Sequence, residues 1–433
     1  MPGRKPFVAA VLVLMAVLAA APAAAETGCT ASSSWVNKPT LPESLDETNH
    51  CNFARFSWQS FLALMQPSGG SNNQLVFENY MSWDALFVPD GQQPAPWGHS
   101  PWPLTLGELT KQAGSGNDLI AQSLNEVQFD IGVNRPMYEY IKYFKLYNAN
   151  CFNQGGVEGT IGNIHMPPDT SPFTGQGSIE LKTAWLPMSP CDPSKYHCTT
   201  ALVNSQPVSV ALIGIHIVHK LPDHQEWIWS SFEHINNAPD CARVIPPAPG
   251  YTTWNFFRNG FVPVGSACPS CPNDGSKCDP TRQCNTFINE YTAPNICRTQ
   301  QLLSLTCNPG GAQSDDLNDV VCLNPSVWDL LPQGSVWRNY MLVGTIWFKP
   351  GMTSPGATGQ SQVGNLTLAN TAMETYTQAT NCFGCHNSKF KKFDNTTPNT
   401  TGHADFSHIF NRIQALRGPE QCPPLTPAPQ ASH

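Results

Sequence analysis

Apolar positions change their spacing several times along this chain. Phe7 to Ala20 is an almost continuous apolar run behind Arg4 and Lys5, and it closes on Ala23-Ala24-Ala25. A basic start, an apolar stretch and small residues at its end are the parts of a secretory signal, which predicts cleavage after Ala25. The rival reading is an uncleaved anchor, because that run nearly matches a bilayer core in length. Phe53, Phe56, Phe61, Leu64 and Met65 then recur at helical spacing and predict an amphipathic helix over 53–65. Trp83 lies in turn-rich sequence, a Pro/Trp-rich loop runs from Pro94 to Pro103, and Val133 to Leu146 fits helix or strand equally.

From residue 178 the period shortens. Ile179, Leu181, Thr183 and Trp185 alternate as one face of a strand, and Pro207 to Leu221 is a β-branched run of the buried-strand kind. Pro222-Asp223-His224 supplies a turn and Glu226 to Ile235 a return strand, so the two form a predicted hairpin. Met341 to Phe348 is a further strand. Helical signals return late. Asn370-Thr371 predicts the cap of a short helix reaching Ala379, and Ile409, Phe410, Ile413 and Leu416 predict a helix over 406–416 that Gly418-Pro419 stops. The expected class is α+β. An antiparallel β-rich domain with disulfide-tied loops spans 26–350, with a Cys-rich insertion at 265–310. A small helical segment at 351–422 and a Pro-rich tail at 423–433 follow.

Composition narrows the partners. The 433 residues include 23 Lys and Arg against 31 Asp and Glu, a net charge of −8, and only 12% of the chain is charged. So sparse and acidic a chain cannot neutralise a run of phosphates, which excludes nucleic acid as a partner. Loss of Arg4 and Lys5 with the signal makes the mature chain more acidic still. Aromatic residues at 10% exclude global disorder, and 40 Pro with 32 Gly favour loops over long helices. No segment after the signal is apolar enough to span a membrane.

All 16 cysteines follow the signal, and only Cys382 and Cys385 precede a histidine directly. The other fourteen make an even set suited to disulfides in the periplasm or outside the cell. Cys268, Cys271, Cys278, Cys284, Cys297 and Cys307 crowd a stretch without apolar periodicity, where cross-links are the expected stabiliser. A zinc site built from Cys268, Cys271 and the cysteines after them, or a redox-active Cys268/Cys271 pair, is the competing reading.

Cys382-Phe383-Gly384-Cys385-His386 carries the strongest chemistry. In C-x-x-C-H both thiols add to haem vinyl groups and the histidine ligates the iron, which predicts one covalent haem c. The competing reading is a structural disulfide, or a thioredoxin-like pair, that happens to precede a histidine. Candidates for the distal position are His403, His408, Met373, His216, His219, His224 and His234, or no protein ligand at all. His216 and His219 point to opposite faces of a strand, so at most one aims at a given iron. Lys389, Lys391 and Lys392 form either a docking patch for a redox partner protein or a solvated loop.

With this motif the chain resembles the c-type cytochromes. It is more closely similar to a little-characterised family of exported bacterial mono-haem proteins, through Trp58 to Leu64 (W-Q-x-F-L-A-L), His216 to Lys220 (H-I-V-H-K) and Phe232-Glu233-His234. The resemblance implies electron transfer but no settled reaction. It departs from small class I cytochromes c, whose Met ligand follows the attachment site, because no Met follows His386. The long region ahead of the haem motif keeps open a haem-dependent oxidoreductase, with Glu233 and His234 as catalytic candidates and Trp227, Trp229 and Trp254 lining a cleft. An interaction module using haem as a structural staple is the third class.

Overall fold

The computed structural model describes residues 28–69, 74–98, 103–113, 115–153, 164–168, 176–258, 284–309, 316–349, 362–379, 382–386 and 405–413. The signal at 1–25, the tail at 423–433, Cys268, Cys271, Cys278, Cys422, His403, Lys389, Lys391 and Lys392 lie outside them.

The helices are α1 (Ser33–Val36), α2 (His50–Leu64), α3 (Trp83–Leu86), α4 (Arg135–Tyr143), α5 (Ala149–Asn153), α6 (Asp316–Leu330) and α7 (Cys382–His386). The strands are β1 (Met81–Ser82), β2 (Leu104–Leu106), β3 (Gln128–Val133), β4 (Ile179–Pro187), β5 (Cys198–Val203), β6 (Gln206–His219), β7 (Ile228–His234), β8 (Tyr340–Phe348) and β9 (Gln362–Gly364). Among the described residues they make one sheet ordered β1-β3-β4-β6-β7-β8-β9, with β5 also on β6 and β2 beside β5. Every pairing is antiparallel except β2 with β5. The α+β class and the hairpin at 222–224 are therefore as expected.

Alternation along the strands divides the sheet into two faces. Lys182 pairs with His216 and Glu180 with Val218 across β4 and β6. Val218 in turn faces Trp229 on β7. These side chains share one face. The intervening Leu181, Ile215, Ile217, His219, Ser230 and Phe232 belong to the other, which α2 and α6 cover. Phe61 of α2 stacks on Phe232 at 4.4 Å, and Phe53 stacks on Trp347 at 3.5 Å. Several polar groups buried at this interface are paired, whereas the Ser60 hydroxyl and both His219 nitrogens have no partner among the described residues. The Ser57 hydroxyl lies 2.7 Å from those of both Thr345 and Ser230. Trp58 Nε1 donates to Asn324 Oδ1 at 2.9 Å, and Asn324 Nδ2 donates onward to the Leu342 carbonyl at 3.0 Å.

Three expectations change. The stretch 133–146 is neither wholly helix nor wholly strand: β3 ends at Val133, the Asn134 side chain caps α4 by accepting from Met137 N, and Pro136 sits in the first turn. No helix forms over 370–379, because Asn370 and Thr371 use their side chains elsewhere. Asn370 Nδ2 donates to the Phe232 carbonyl at 2.8 Å, and Thr371 donates through its backbone and hydroxyl to Glu233. Within 405–413 only Ile409–Arg412 turns as a 3₁₀ helix, because Asp405 and Phe406 have positive φ of 51° and 61°. Left-handed backbone at two non-glycine residues stops a right-handed helix from starting there, at about 1–2 kcal/mol each.

Disulfides join Cys29–Cys51, Cys191–Cys198, Cys241–Cys297 and Cys307–Cys322. Cys151 and Cys284 are disulfide-bonded as well. Cys284, Cys297 and Cys307 are thus not available as zinc thiolates, which removes half of the proposed cluster from that reading. Such cross-linking fits an oxidising compartment. Among the described residues no helix is long and apolar enough to cross a membrane.

Candidate functional site

The C-x-x-C-H turn is α7, and an aromatic box seats it against the sheet. Phe383 is fully buried, 3.9 Å from Phe348, 5.7 Å from Phe406 and 5.8 Å from Trp229. With Phe383 inside, Cys382 is half-buried and Cys385 exposed, and both thiols are free. In a helical turn residues three apart lie on one side, so the two sulfurs belong to one edge.

His386 closes the turn with its orientation fixed. Nδ1 donates to the Phe406 carbonyl at 2.7 Å, which assigns the proton to that nitrogen and leaves Nε2 as the lone-pair donor. Trp229 meets the ring edge-on at 4.4 Å, and His408 stacks nearly parallel on it at 4.1 Å with 10° between planes. Burial first, and then the neighbouring His408, holds the His386 pKa well below the ordinary imidazole value. The ring is neutral, as a metal ligand must be.

A cavity of about 330 Å³ borders His386, His408, His216 and Trp229. Charged groups from the sheet and the C-terminal segment also reach it: Glu180, Lys182, Glu374 and Arg412. His216 Nε2 donates to Glu374 Oε1 at 3.0 Å. Burial alone would raise the Glu374 carboxyl, but His216 and Lys182 outweigh it and hold that pKa below the usual value. Burial pushes Glu180 up to about 7, against the hydrogen bond from Ser407 and with help from the Asp405 charge. Burial likewise lowers Lys182, with Glu374 opposing.

A larger cavity, about 410 Å³, opens near the β3 edge and is lined by Trp185, Asp84, Glu108, Asp130 and Arg412. Asp130 and Trp185 belong to the helix-covered face, and Arg412 borders both cavities. The imidazoles of His386, His408 and His216 border the smaller one.

The sequence candidates separate accordingly. The structure brings together Cys382, Cys385, His386, His408 and His216. It does not bring Glu233 or His234 to the cavity. Glu233 is fully buried in an ion pair with Arg298 and accepts from Thr371, while Arg298 also holds Asp240 at 2.7 Å. His234 donates through Nε2 to the Lys195 carbonyl at 2.9 Å and accepts at Nδ1 from Asn236 N at 3.1 Å, so neither nitrogen is offered to an iron. His219 lies on the helix face against Phe56. His224 pairs with Glu47 at 2.6 Å, and Met373 is buried in the core over Gly214. Trp227 and Trp254 are core residues, leaving Trp229 alone of the three tryptophans at the cavity.

Glu180, Lys182, Glu374 and Arg412 escaped sequence reasoning. The one available signal was Glu180-x-Lys182, two charges on the same face of an otherwise apolar strand.

The donor set fits a covalent haem. Two thiols stand outside the disulfide system, and a neutral histidine with its second nitrogen anchored follows them. Trp229 Nε1, buried beside His386, has no hydrogen-bond partner among the described residues. Also among the described residues, no cluster of three or more His, Cys, Asp or Glu side chains is arranged to hold a bare metal ion. No family model, no curated protein and no solved structure matches this chain.

Proposed function

We propose that this is an exported electron-transfer protein of the c type, with one haem c held by Cys382 and Cys385 and ligated by His386. A bound haem supplies a one-electron Fe(III)/Fe(II) couple. The chain's residues then have separable tasks. The thiols retain the macrocycle, and the Phe406 carbonyl fixes the His386 tautomer and raises its basicity. The box of Trp229, Phe348, Phe383 and Phe406 excludes water from the ligand. His216 and His408 are the distal candidates that border the same cavity as His386. His408 stacks parallel on His386, and His216 would hold the group through the nitrogen that Glu374 does not engage. A redox partner protein would dock near Lys389, Lys391 and Lys392, with export to the periplasm or beyond directed by residues 1–25.

The observation that carries the reading is the selective oxidation of the cysteines. Ten described cysteines are disulfide-bonded, and the two left as thiols are those of C-x-x-C-H. Replacing both, Cys382→Ala with Cys385→Ala, is expected to abolish haem that survives acid-acetone extraction while the disulfide pattern stays intact. Retained haem in that variant would contradict the proposal.

The second cavity favours one further reading, a haem-dependent oxidoreductase that takes its substrate near Asp130 and Arg412. Carbon monoxide separates the two. An unchanged spectrum of the reduced protein supports the carrier, and prompt ligand binding supports the enzyme.

A further inference from the structure

The carbonyl that orients His386 belongs to strained backbone. Phe406 has a φ of 61° and Asp405 one of 51°, so two consecutive non-glycine residues occupy the left-handed region. Such a conformation persists only where its surroundings impose it. Here three groups do so. Lys220, at the end of β6 and 4% exposed, pairs with the Asp405 carboxylate at 2.6 Å. The same carboxylate oxygen accepts from Met166 N at 2.7 Å. Trp227 Nε1 donates to the Asp405 carbonyl at 2.6 Å, and the Lys220 ammonium also lies over the Trp227 ring, 5.0 Å from its centre.

We infer that Lys220, Trp227 and Asp405 are positioning residues that set the redox potential of the haem iron from within the sheet. They hold Phe406 O at hydrogen-bond distance from His386 Nδ1, and that bond adjusts the electron donation of Nε2. The inference rests on the haem reading and adds the control of His386 by the β6–β7 hairpin. Lys220 and Asp405 have no place in the C-x-x-C-H motif, and 19 positions separate Asp405 from His386 in the chain. The ion pair is deeply buried, with both side chains 5% exposed, where a charge without its counter-charge is costly. Asparagine also tolerates left-handed backbone, so Asp405→Asn removes the charge while sparing the local conformation.

Weakening the anchor lowers the basicity of His386, which favours Fe(II) and raises the potential. Asp405→Asn is expected to retain covalent haem and to shift the Fe(III)/Fe(II) equilibrium about tenfold toward Fe(II), about 59 mV for a one-electron couple. Lys220→Met combined with Asp405→Asn, which leaves neither charge behind, serves if the single variant does not fold. Trp227→Phe, which keeps the ring and loses the N–H, is expected to shift the potential in the same direction. Ser57→Ala, on the helix face, controls for general loss of stability and is expected to leave the potential in place. Haem-loaded variants whose potentials all stay within twofold of the wild-type equilibrium would overturn this inference and leave the haem reading standing. Wild-type protein without covalent haem would overturn both.

Discussion

His216 and His219 are three residues apart on one strand and live in different chemical worlds. His216 faces the cavity and donates to Glu374. His219 faces α2, stacks on Phe56 at 5.4 Å, and neither of its nitrogens has a partner among the described residues. Burial drives its pKa down to about 3, so it is a neutral ring serving as packing. The same division runs through the whole sheet. On the helix side, polar groups pair with each other in the network of Ser57, Ser230 and Thr345 around Phe61, Phe232 and Trp58. On the cavity side, charged groups from distant parts of the chain meet at His386. A residue's type says little about its task here; the face of the strand decides it.

Substitutions can break that division or sharpen it. The largest effect is expected at Glu233, whose side chain lies on the cavity side of β7 but away from the cavity. Glu233→Gln removes one of two carboxylates from buried Arg298 and is expected to cost about 3 kcal/mol of stability in denaturant unfolding. Haem content should not change. Full stability with lost redox turnover would instead return Glu233 to a catalytic role.

A smaller and pH-dependent effect is expected at Asp130, on the helix-covered face beside the larger cavity. Burial raises its pKa from 3.8 to about 6, with the Ser82 hydrogen bond opposing and Asp84 adding to the rise. Below about pH 4 both folded and unfolded states carry the proton. Between about pH 4 and 6 the folded state holds a proton that the unfolded state has released, so stability falls as pH rises, and above about 6 this contribution is flat. Asp130→Asn is expected to remove about 1–3 kcal/mol of that decline, as read from unfolding free energies at pH 4, 5, 6 and 7. An identical decline in the variant would count against the buried, raised carboxyl.

The smallest effect is expected at His219. His219→Leu replaces a ring with two unbonded nitrogens by an aliphatic side chain, and a gain of up to about 1 kcal/mol is expected with no spectral change. Lost stability together with an altered haem spectrum would show that the two faces are not separate.

Much of the fold was legible because it rests on local pattern. The β-branched run of β6, the turn at 222–224 and the aromatic stripe of α2 each announce an element without any tertiary information. Helix α6 was hidden, since Pro325 lies inside it and its polar positions, Asn318 and Asn324, bond to distant backbone at Asn308 and Leu342. The break between β3 and α4 was readable in principle from Asn134 followed by Pro136, a cap and a first-turn proline. Within the described residues 406–413, the predicted helix is reduced to a single 3₁₀ turn for a reason no periodicity contains. Lys220 and Trp227, far away in the chain, hold Asp405 in a backbone state that ends helical propagation. For the site, the thiols and His386 were legible from spacing alone. Glu374 and Arg412 were not, because chain return brings them to the cavity and leaves no mark within any short window of sequence, and for Lys182 the only local mark was its alternation with Glu180 on one strand face.

If the thiols kept out of the disulfide system carry a haem, the matured protein is heavier and coloured. The intact mass of the matured protein, with its absorption spectrum in alkaline pyridine, tests that most directly. A coloured protein heavier than its polypeptide by one haem is expected, with the added mass on the peptide spanning Cys382 and Cys385. A colourless protein of polypeptide mass alone, with those two cysteines free or joined to each other, would contradict it.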